Sequence, residues 1–258
     1  MDEMFLSLTH PLFDAIILRQ GAQLIHFQPK GGVSVLWSAK FCTFEKGKAF
    51  RGRIPICWPW FGKGGNPSHG FARIMTWELI KHSSDDEGIE LIFELGDSDK
   101  TREIWPYTFK TTLKMHLGRD ISISLHVNAQ KQSTAALHTY LTCKDILDVN
   151  VVGLGANYND ALAGGAVCKS HEKALHVSHA IDRIYTHVNE ITLLKEHEKT
   201  LSIAHQNHSD VVVWNPWKEG AMQLADMKED DYTKMLCIET ARITKPLACE
   251  DSLHVRIF

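Results

Sequence analysis

The sequence predicts an all-β fold, a large antiparallel β-sandwich with a few short helices. Apolar and polar residues alternate through much of the chain, most cleanly over residues 121–128, where every second side chain is apolar. Turn-forming stretches such as residues 117–120 (LGRD) separate successive candidate strands, which favours antiparallel pairing. No helical periodicity extends much beyond two turns, so the pattern disfavours a doubly wound α/β fold.

The candidate strands recur along most of the chain. Each combines β-branched, aromatic or other apolar residues with period-two alternation, and they cover residues 89–95, 109–117, 121–128, 137–142, 211–214, 236–243 and 253–258. Short helices are predicted around residues 144–148 and 227–234, and a glycine-rich loop over residues 62–67.

Composition predicts one globular domain over residues 1–258. No internal repeat, low-complexity tract or Pro/Ser-rich linker divides the chain, and hydrophobic residues at 44% with charged residues at 23% are ordinary for a globular protein. The formal net charge of -3, with scattered Lys and Arg, provides no basic face, so nucleic acid is not expected as a partner. A small anionic ligand stays open, because a phosphate needs only a few local cationic donors.

The N-terminal residues and the cysteines predict a cellular location. Residues 1–6 are acidic and lack the basic start and long apolar stretch of a secretory signal, and no later run approaches a membrane span. We therefore expect a cytoplasmic monomer without membrane contact. The six cysteines are widely separated and form no CxxC pair, so we expect reduced thiols and neither a disulfide framework nor a zinc site: Cys42, Cys57, Cys143, Cys168, Cys237 and Cys249.

Two further patterns resemble ligand-binding motifs but do not complete one. The spacings of His176 with His179 and of His205 with His208 suggest metal ligation, but no cysteine or carboxylate pattern completes a site, so no metal is predicted. Residues 153–155 (GLG) lack the third glycine and the following helix of a dinucleotide-binding motif, so no nucleotide cofactor is predicted either.

Two segments around the glycine-rich loop combine arginine with glycine and aromatic residues. They read RGRIPICWPWFG over residues 51–62 and SHGFAR over residues 68–73. Glycine permits close backbone approach and the aromatic rings suit the C–H faces of a sugar, so a small ligand would meet arginine, histidine and an aromatic wall together. Surface ion pairing is the alternative for these arginines, but their clustering favours bidentate binding of a phosphate.

Five motifs then occur in a particular order. They are the RGRIP run that ends in Phe61-Gly62, HGFAR at residues 69–73, LHTY at 137–140, WNPW at 214–217 and CIE at 237–239. In this order the chain resembles hexose-6-phosphate mutarotases, the glucose-6-phosphate 1-epimerase branch of the aldose 1-epimerase family. The resemblance extends from about residue 21 to the C-terminus and includes the stretches 152–160 and 227–232.

The resemblance implies a galactose-mutarotase-like supersandwich whose active site lies in the concave face of one sheet. It also implies a cofactor-free isomerase that interconverts the anomers of a small-molecule hexose phosphate. His138 matches the general acid for the ring oxygen and Glu239 the general base that takes the proton from the anomeric hydroxyl. Asp182 matches the acidic residue that positions sugar hydroxyls. We expect Glu239 to be ionised and His138 protonated at the start of a cycle.

The same resemblance implies substrate-binding roles for residues of the loop segments. His69 matches a second histidine of the pocket, and Arg51 and Arg73 match the pair that marks phosphorylated substrates. The chain departs from the commoner pattern at Arg53, where a glycine is usual, and at Trp60, where a smaller or polar residue is frequent. Arg53 would add a phosphate donor or point to solvent, and Trp60 would narrow the sugar site.

The pattern of the residues gives weaker support and leaves alternatives open. On the strand 137–142 the apolar side chains share one face, which leaves His138 and Tyr140 to face a groove, although a structural or exposed histidine is the alternative. Glu239 lies within an apolar segment, where an unpaired buried carboxylate is unfavourable, but a salt bridge at a strand edge would also explain it. For Asp182 the alternative is a turn or a surface ion pair. Trp214 is expected to close one side of the pocket, and simple packing is the alternative for this residue.

Two other functions stay open at this point. One is a mutarotase for unphosphorylated aldoses, and the other is a non-catalytic carbohydrate-binding domain that keeps the pocket without turnover. The preferred hexose phosphate is also open among glucose, galactose and mannose phosphates.

Overall fold

The computed structural model describes residues 4–39 and 44–258, and Cys42 lies outside these residues. The described residues form twenty strands and two short α-helices. The strands are β1 (Phe5–His10), β2 (Phe13–Leu18), β3 (Gln23–Pro29), β4 (Ile56–Cys57), β5 (Glu78–Asp85), β6 (Gly88–Gly96), β7 (Phe109–Leu117), β8 (Ile121–Ala129), β9 (Ser133–Leu137), β10 (Tyr140–Thr142), β11 (Val149–Val152), β12 (Asn157–Asp160), β13 (Ala166–Lys169), β14 (Ala174–His176), β15 (Ile181–Thr186), β16 (Ile191–Glu196), β17 (Lys199–Gln206), β18 (Asp210–Asn215), β19 (Met235–Leu247) and β20 (Asp251–Ile257). The helices are α1 (Asp99–Ile104) and α2 (Trp217–Met222).

The strands pair antiparallel in three sheets. A nine-stranded sheet has the order β14-β11-β16-β17-β20-β8-β7-β6-β5, and an eight-stranded sheet has the order β13-β12-β15-β18-β19-β9-β4, with β10 also paired to β19. A third sheet joins β1, β2 and β3. The prediction of an all-β antiparallel sandwich with short helices is confirmed. None of the helices within the described residues is long and apolar enough to span a bilayer.

Alternation along each strand separates a core face from a second face. In β8 the side chains of Ile123 and Leu125 are fully buried, and they belong to the same hydrophobic cluster as Val213 and Ile238 of the eight-stranded sheet. The two large sheets therefore pack their apolar faces against each other. Burial of each such side chain contributes about 1.5–3 kcal/mol. Residues between these positions, such as Glu239, point away from this core.

The predicted strand over residues 137–142 is interrupted. The N–H of His138 donates to the carbonyl of Pro55 at 3.0 Å, and the N–H of Thr139 donates to the carbonyl of Leu137 at 2.9 Å. Because neither N–H pairs with β19, the segment divides into β9 and β10 with His138 at the break.

The helix predictions are wrong in extent. The segments 144–148 and 227–234 contain only 3-10 helices, at Ile146–Asp148 and Asp231–Lys234. The α-helix over Asp99–Ile104 was missed, although its N-terminus carries a local signal. Ser98 accepts a hydrogen bond from the Thr101 N–H, and the Thr101 hydroxyl accepts one from the Ser98 N–H.

Gly70 gives a stability test of the loop that carries His69. Gly70 has φ +72, and a Cβ on it would lie 2.0 Å from the Trp58 carbonyl oxygen, whereas Gly164, with φ +67, has nothing within 4 Å of its Cβ position. We expect Gly164→Ala to lower the free energy of unfolding by about 1–2 kcal/mol through left-handed strain. Gly70→Ala should lower it by about 1–3 kcal/mol more, because the backbone must also move. Urea unfolding of both variants measures the difference, and equal losses would contradict the close approach.

Candidate active site

His138 and Glu239 lie opposite each other on adjacent strands. The residues that flank His138 on β9 and β10 pair with β19 in one continuous register, and that register puts His138 across from Glu239. Nε2 of His138 is 3.3 Å from Oε1 of Glu239. Both side chains are buried, with 7% of His138 and 1% of Glu239 exposed. A basic and an acidic group thus converge on the second face of the eight-stranded sheet.

Burial dominates the electrostatics of this pair. It raises the pKa of the Glu239 carboxyl well above its usual range, and the negative charge of Asp182 adds to this while Arg73 opposes it. Burial also lowers the pKa of His138 well below its usual range, and His69 and the nearby arginines lower it further. Both pKa shifts favour the uncharged forms of the two side chains. These shifts favour the proton on Glu239, in contrast to the ionised Glu239 and protonated His138 expected from the sequence.

Each member of the pair has one further polar atom without a partner. Within the described residues, no hydrogen bond reaches Oε2 of Glu239 or Nδ1 of His138, although both atoms are buried. Buried polar atoms are almost always hydrogen-bonded in folded proteins. An unpartnered carboxylate oxygen at this position is consistent with a ligand that supplies the missing donor.

Aromatic rings fix the orientation of the His138 imidazole. The ring stacks on Tyr140 with centroids 4.7 Å apart and an interplanar angle of 8°, and it meets Trp214 edge-to-face with centroids 6.3 Å apart. Tyr140 also stacks on Trp37, with centroids 5.8 Å apart. The sequence placed Tyr140 on the groove face with His138 but did not name it as a site residue. Its position in the LHTY motif was the available signal.

Asp182 and Trp214 lie in a row of side chains across the sheet. Asp182 of β15 pairs with Trp214 of β18, which pairs with Cys237 of β19, which in turn pairs with Tyr140 of β10. Burial raises the pKa of Asp182, and Asp160 adds to the shift. Asp182 therefore lies within a strand rather than in a turn, and a carboxylate and an indole extend the groove beyond the His138–Glu239 pair.

Arg51 and Arg73 differ in their partners. Nε of Arg51 donates to Oδ1 of Asp226 at 2.7 Å, and Nη1 donates to the Tyr140 hydroxyl at 3.3 Å. Nη2 of Arg73 donates to the carbonyl of Ser68 at 2.8 Å. In residues 4–39 and 44–258, no carboxylate lies within 4 Å of the Arg73 guanidinium. Arg51 is thus paired with a carboxylate, whereas the printed hydrogen bond of the Arg73 guanidinium is to a backbone carbonyl.

Arg53 does not contribute to the groove. Its Nε donates to the carbonyl of Ile25 at 3.1 Å, and its Nη1 donates to the Ser34 hydroxyl and to the carbonyl of Leu36. Burial lowers its pKa to about 10. Both alternatives left open by the sequence, a phosphate donor and a solvent-exposed side chain, are therefore wrong, because the guanidinium is used to bind backbone carbonyls.

His69 lies beside the catalytic candidate His138. The two rings are 5.7 Å apart, and the edge of Phe61 packs on His69 at 4.9 Å. Nδ1 of His69 accepts a hydrogen bond from the Gly62 N–H at 3.4 Å, so Nε2 carries the proton of the neutral ring. Burial lowers the pKa of His69 to about 4, with Arg73 and Arg51 contributing.

Trp60 supports the glycine-rich loop. Its indole N–H donates to the carbonyl of Pro67 at 2.8 Å, and its ring meets Phe71 edge-on at 5.9 Å. A Cβ on Gly65 would lie 2.6 Å from the Trp60 ring, so the loop backbone packs directly on the indole. The aromatic residue that contacts His69 is Phe61, which sequence reasoning did not single out.

The histidines considered for metal binding lie elsewhere. His205 is fully buried and hydrogen-bonds through its two ring nitrogens to the hydroxyls of Thr192 and Thr240, at 2.9 and 2.7 Å. Within the part of the chain that the structure describes, the one group of three metal-ligand candidates with atoms within 4.8 Å of one another is His138, Cys237 and Glu239.

Comparisons with known proteins agree on one family. The profile of the aldose 1-epimerase family matches residues 4–251. A protein of Salmonella typhimurium named "Putative glucose-6-phosphate 1-epimerase" is 35% identical over 242 residues, which are 92% of this chain and 82% of the relative. The crystal structure of a "putative mutarotase" from Salmonella typhimurium superimposes with a TM-score of 0.94 at 34% identity, covering 98% of this chain and 89% of that one. Galactose 1-epimerase from Lactobacillus acidophilus shares the fold, with a TM-score of 0.75 at 15% identity, covering 98% and 93%.

The ionisation of His69 is a direct test of the site's electrostatics. With a pKa of about 4, its imidazole should be neutral at pH 7 and gain a proton only in acid. Removing the positive charge in Arg73→Ala should raise this pKa toward the ordinary value of 6.5, although burial keeps it below that value. NMR titration of the ring signals, assigned with His69→Gln, measures the shift. Arg119→Ala, in the exposed turn after β7, is the control. A wild-type His69 that titrates near 6.5 would contradict the buried position.

Proposed function

The chain belongs to the aldose 1-epimerase family, and on that premise we propose that it interconverts the α and β anomers of glucose 6-phosphate or a related aldohexose 6-phosphate. The observation that carries the proposal is the 3.3 Å contact between Nε2 of His138 and Oε1 of Glu239, in a groove that the Arg73 guanidinium also reaches electrostatically. The names of the relatives support the same substrate class.

The reaction requires two coupled proton transfers. Glu239 takes the proton from the anomeric hydroxyl while His138 delivers one to the ring oxygen, and the bond between C1 and the ring oxygen breaks to give the open aldehyde. Rotation about the C1–C2 bond presents the other face of the carbonyl, and closure with the roles reversed gives the other anomer. Each transfer contributes a factor of roughly 10² to 10⁴ in rate. Proton transfers of this kind need no redox cofactor.

The pair holds one exchangeable proton in either of two arrangements. A protonated Glu239 beside a neutral His138 contains as many protons as a carboxylate beside an imidazolium. Burial favours the first arrangement. Because the two groups are in contact, the ionised arrangement that starts the reaction forms by transfer within the pair, without a proton from solvent.

The remaining candidates hold the substrate. Asp182 accepts hydrogen bonds from sugar hydroxyls and Trp214 packs on the C–H face of the ring. Neutral His69 donates through Nε2. Arg73 binds the phosphate, and Arg51 assists while it stays oriented by Asp226. Trp60, with its indole packed under the loop, acts indirectly by fixing the backbone on which His69 lies.

We also propose that the protein acts as a cytoplasmic monomer, without a nucleic acid or membrane partner. The five cysteines in the described residues are free thiols, which suits a reducing compartment. The net charge of -3 gives no basic surface for a polyanion.

Glu239→Gln tests the chemistry. The amide keeps the shape of the side chain but cannot take a proton, so we expect catalysed anomerisation to fall by a factor of about 10² to 10⁴. Saturation-transfer NMR on glucose 6-phosphate measures the exchange rate, and circular dichroism checks the fold. Glu87→Gln, in the exposed turn between β5 and β6, is the matched control. Unchanged exchange in Glu239→Gln would remove Glu239 from the mechanism.

Arg73→Ala tests the phosphate. A charge-assisted hydrogen bond contributes about 1.5–3 kcal/mol, so kcat/KM for glucose 6-phosphate should fall by roughly 10- to 100-fold. For free glucose the loss should be smaller, because only the electrostatic effect of Arg73 on Glu239 and His138 is removed, and Arg73→Lys should restore part of the loss with the phosphate. Equal losses on the two sugars would favour a mutarotase for unphosphorylated aldoses. Binding of either sugar by the wild type without faster anomer exchange would favour a non-catalytic binding domain.

A further inference from the structure

We propose that His138, Cys237 and Glu239 together form a zinc site that inhibits the enzyme. A ring nitrogen of His138, Sγ of Cys237 and a carboxylate oxygen of Glu239 all lie within 4.8 Å of one another. All three side chains are buried. The inhibitory effect rests on the proposed function, because the same two groups carry the reaction, whereas the binding of zinc does not depend on it.

The distances suit tetrahedral zinc. Nitrogen and oxygen ligands about 2.0–2.1 Å from the ion at tetrahedral angles lie about 3.3 Å apart. Nε2 of His138 and Oε1 of Glu239 already have that separation, 3.3 Å. A thiolate at about 2.3 Å from the ion lies about 3.6 Å from each of the other ligands, and the present separations of at most 4.8 Å mean that a small displacement of the Cys237 side chain completes the geometry.

The strand positions explain why the three donors meet. Cys237 precedes Glu239 by two residues on β19, so their side chains point to the same face of the sheet. His138 lies across from Glu239 in the break between β9 and β10. The site is thus built on paired strands, which hold donors more precisely than loops do.

The chemistry of the donors favours zinc over hard cations. Thiolate, imidazole and carboxylate are the ligand types of zinc sites, while magnesium prefers oxygen ligands and water. The thiolate and the carboxylate together neutralise the two positive charges of the ion, which a buried site requires. Oε2 of Glu239 has no hydrogen-bond partner within the described residues and is available to a ligand in the groove.

The surroundings favour an exchangeable ion. Histidines that hold a resident zinc almost always donate their second ring N–H to a carboxylate or carbonyl, and loss of such a partner weakens zinc affinity by about 10- to 100-fold. Nδ1 of His138 has no such partner in the described part of the chain. Zinc and sugar also require the same atoms of His138 and Glu239, so each excludes the other. No step of the proposed reaction uses Cys237, and its substitution separates zinc binding from catalysis.

Direct metal binding tests the site without reference to activity. Equilibrium dialysis of the full chain should show one bound Zn²⁺, and Co²⁺ in its place should give the near-ultraviolet charge-transfer band of a thiolate ligand. Cys237→Ser should lose the band and bind zinc at least about 10- to 100-fold more weakly, since even the outer partners of zinc ligands contribute that much. Cys57→Ser removes another fully buried thiol and should leave the cobalt band and the zinc affinity unchanged. A wild type without the cobalt band, or a Cys237→Ser variant with wild-type zinc affinity, would overturn the site.

Inhibition is measured as anomer exchange at free Zn²⁺ concentrations fixed by a metal buffer, so that zinc bound to the sugar phosphate does not count. Zn²⁺ should inhibit the wild type competitively with glucose 6-phosphate, and Mg²⁺ should not. Cys237→Ser should need at least about 10- to 100-fold more zinc for the same fractional inhibition, measured relative to its own zinc-free exchange rate. Zinc that binds but leaves exchange unaffected would overturn the inhibitory role.

If the wild type catalyses no exchange, the proposed function fails and the cobalt band still decides the site. If Cys237→Ser does not fold, Cys237→Ala and the wild-type cobalt spectrum decide it.

Discussion

The register between β19 and its neighbours β9 and β10 is the constraint on which the site depends. Along β19, Ile238 is fully buried in the core while Glu239 faces the groove. A slip of one residue would exchange the two faces and send the carboxylate into the hydrophobic core. The packing of Ile238 and its neighbours between the two large sheets therefore also fixes where the carboxylate lies, and stability and chemistry rest on the same pairing.

The low polarity around His138 and Glu239 determines the chemical behaviour of this pair. A carboxylate and an imidazolium in contact attract each other strongly when buried, but each loses its hydration, and here desolvation is the larger effect on both groups. Desolvation thus favours the proton on Glu239 over the proton on His138. A polar ligand that satisfies the unpartnered Oε2 of Glu239 stabilises the carboxylate and shifts the proton toward His138.

Part of the fold was readable from period-two alternation, since β7 spans the predicted 109–117 and β8 begins at residue 121 as expected, whereas the strands β1–β5 and β11–β17 were not predicted. The single-domain organisation stays a prediction. The break at His138 was not readable, because it depends on a hydrogen bond to Pro55 in a distant segment. The partner of Arg51 is 175 residues away, and Arg53 has a left-handed backbone that turns its side chain from the groove. Local pattern contains neither kind of information, so these contacts could not be predicted from the motifs.

The arrangement divides the site into two parts with different tolerance to change. His138 and Glu239 lie on or between paired strands, where a displacement disturbs the core. Arg73 and His69 lie on the irregular segment around the glycine-rich loop, and Trp60 holds that segment through a hydrogen bond to Pro67. Substitutions in the loop can therefore alter which substituent of the sugar is bound without moving the proton-transfer groups. Asp182 and Trp214, in contrast, lie on strands of the same sheet as Glu239, so the loop is the part of the groove that can vary most independently of the His138–Glu239 pair.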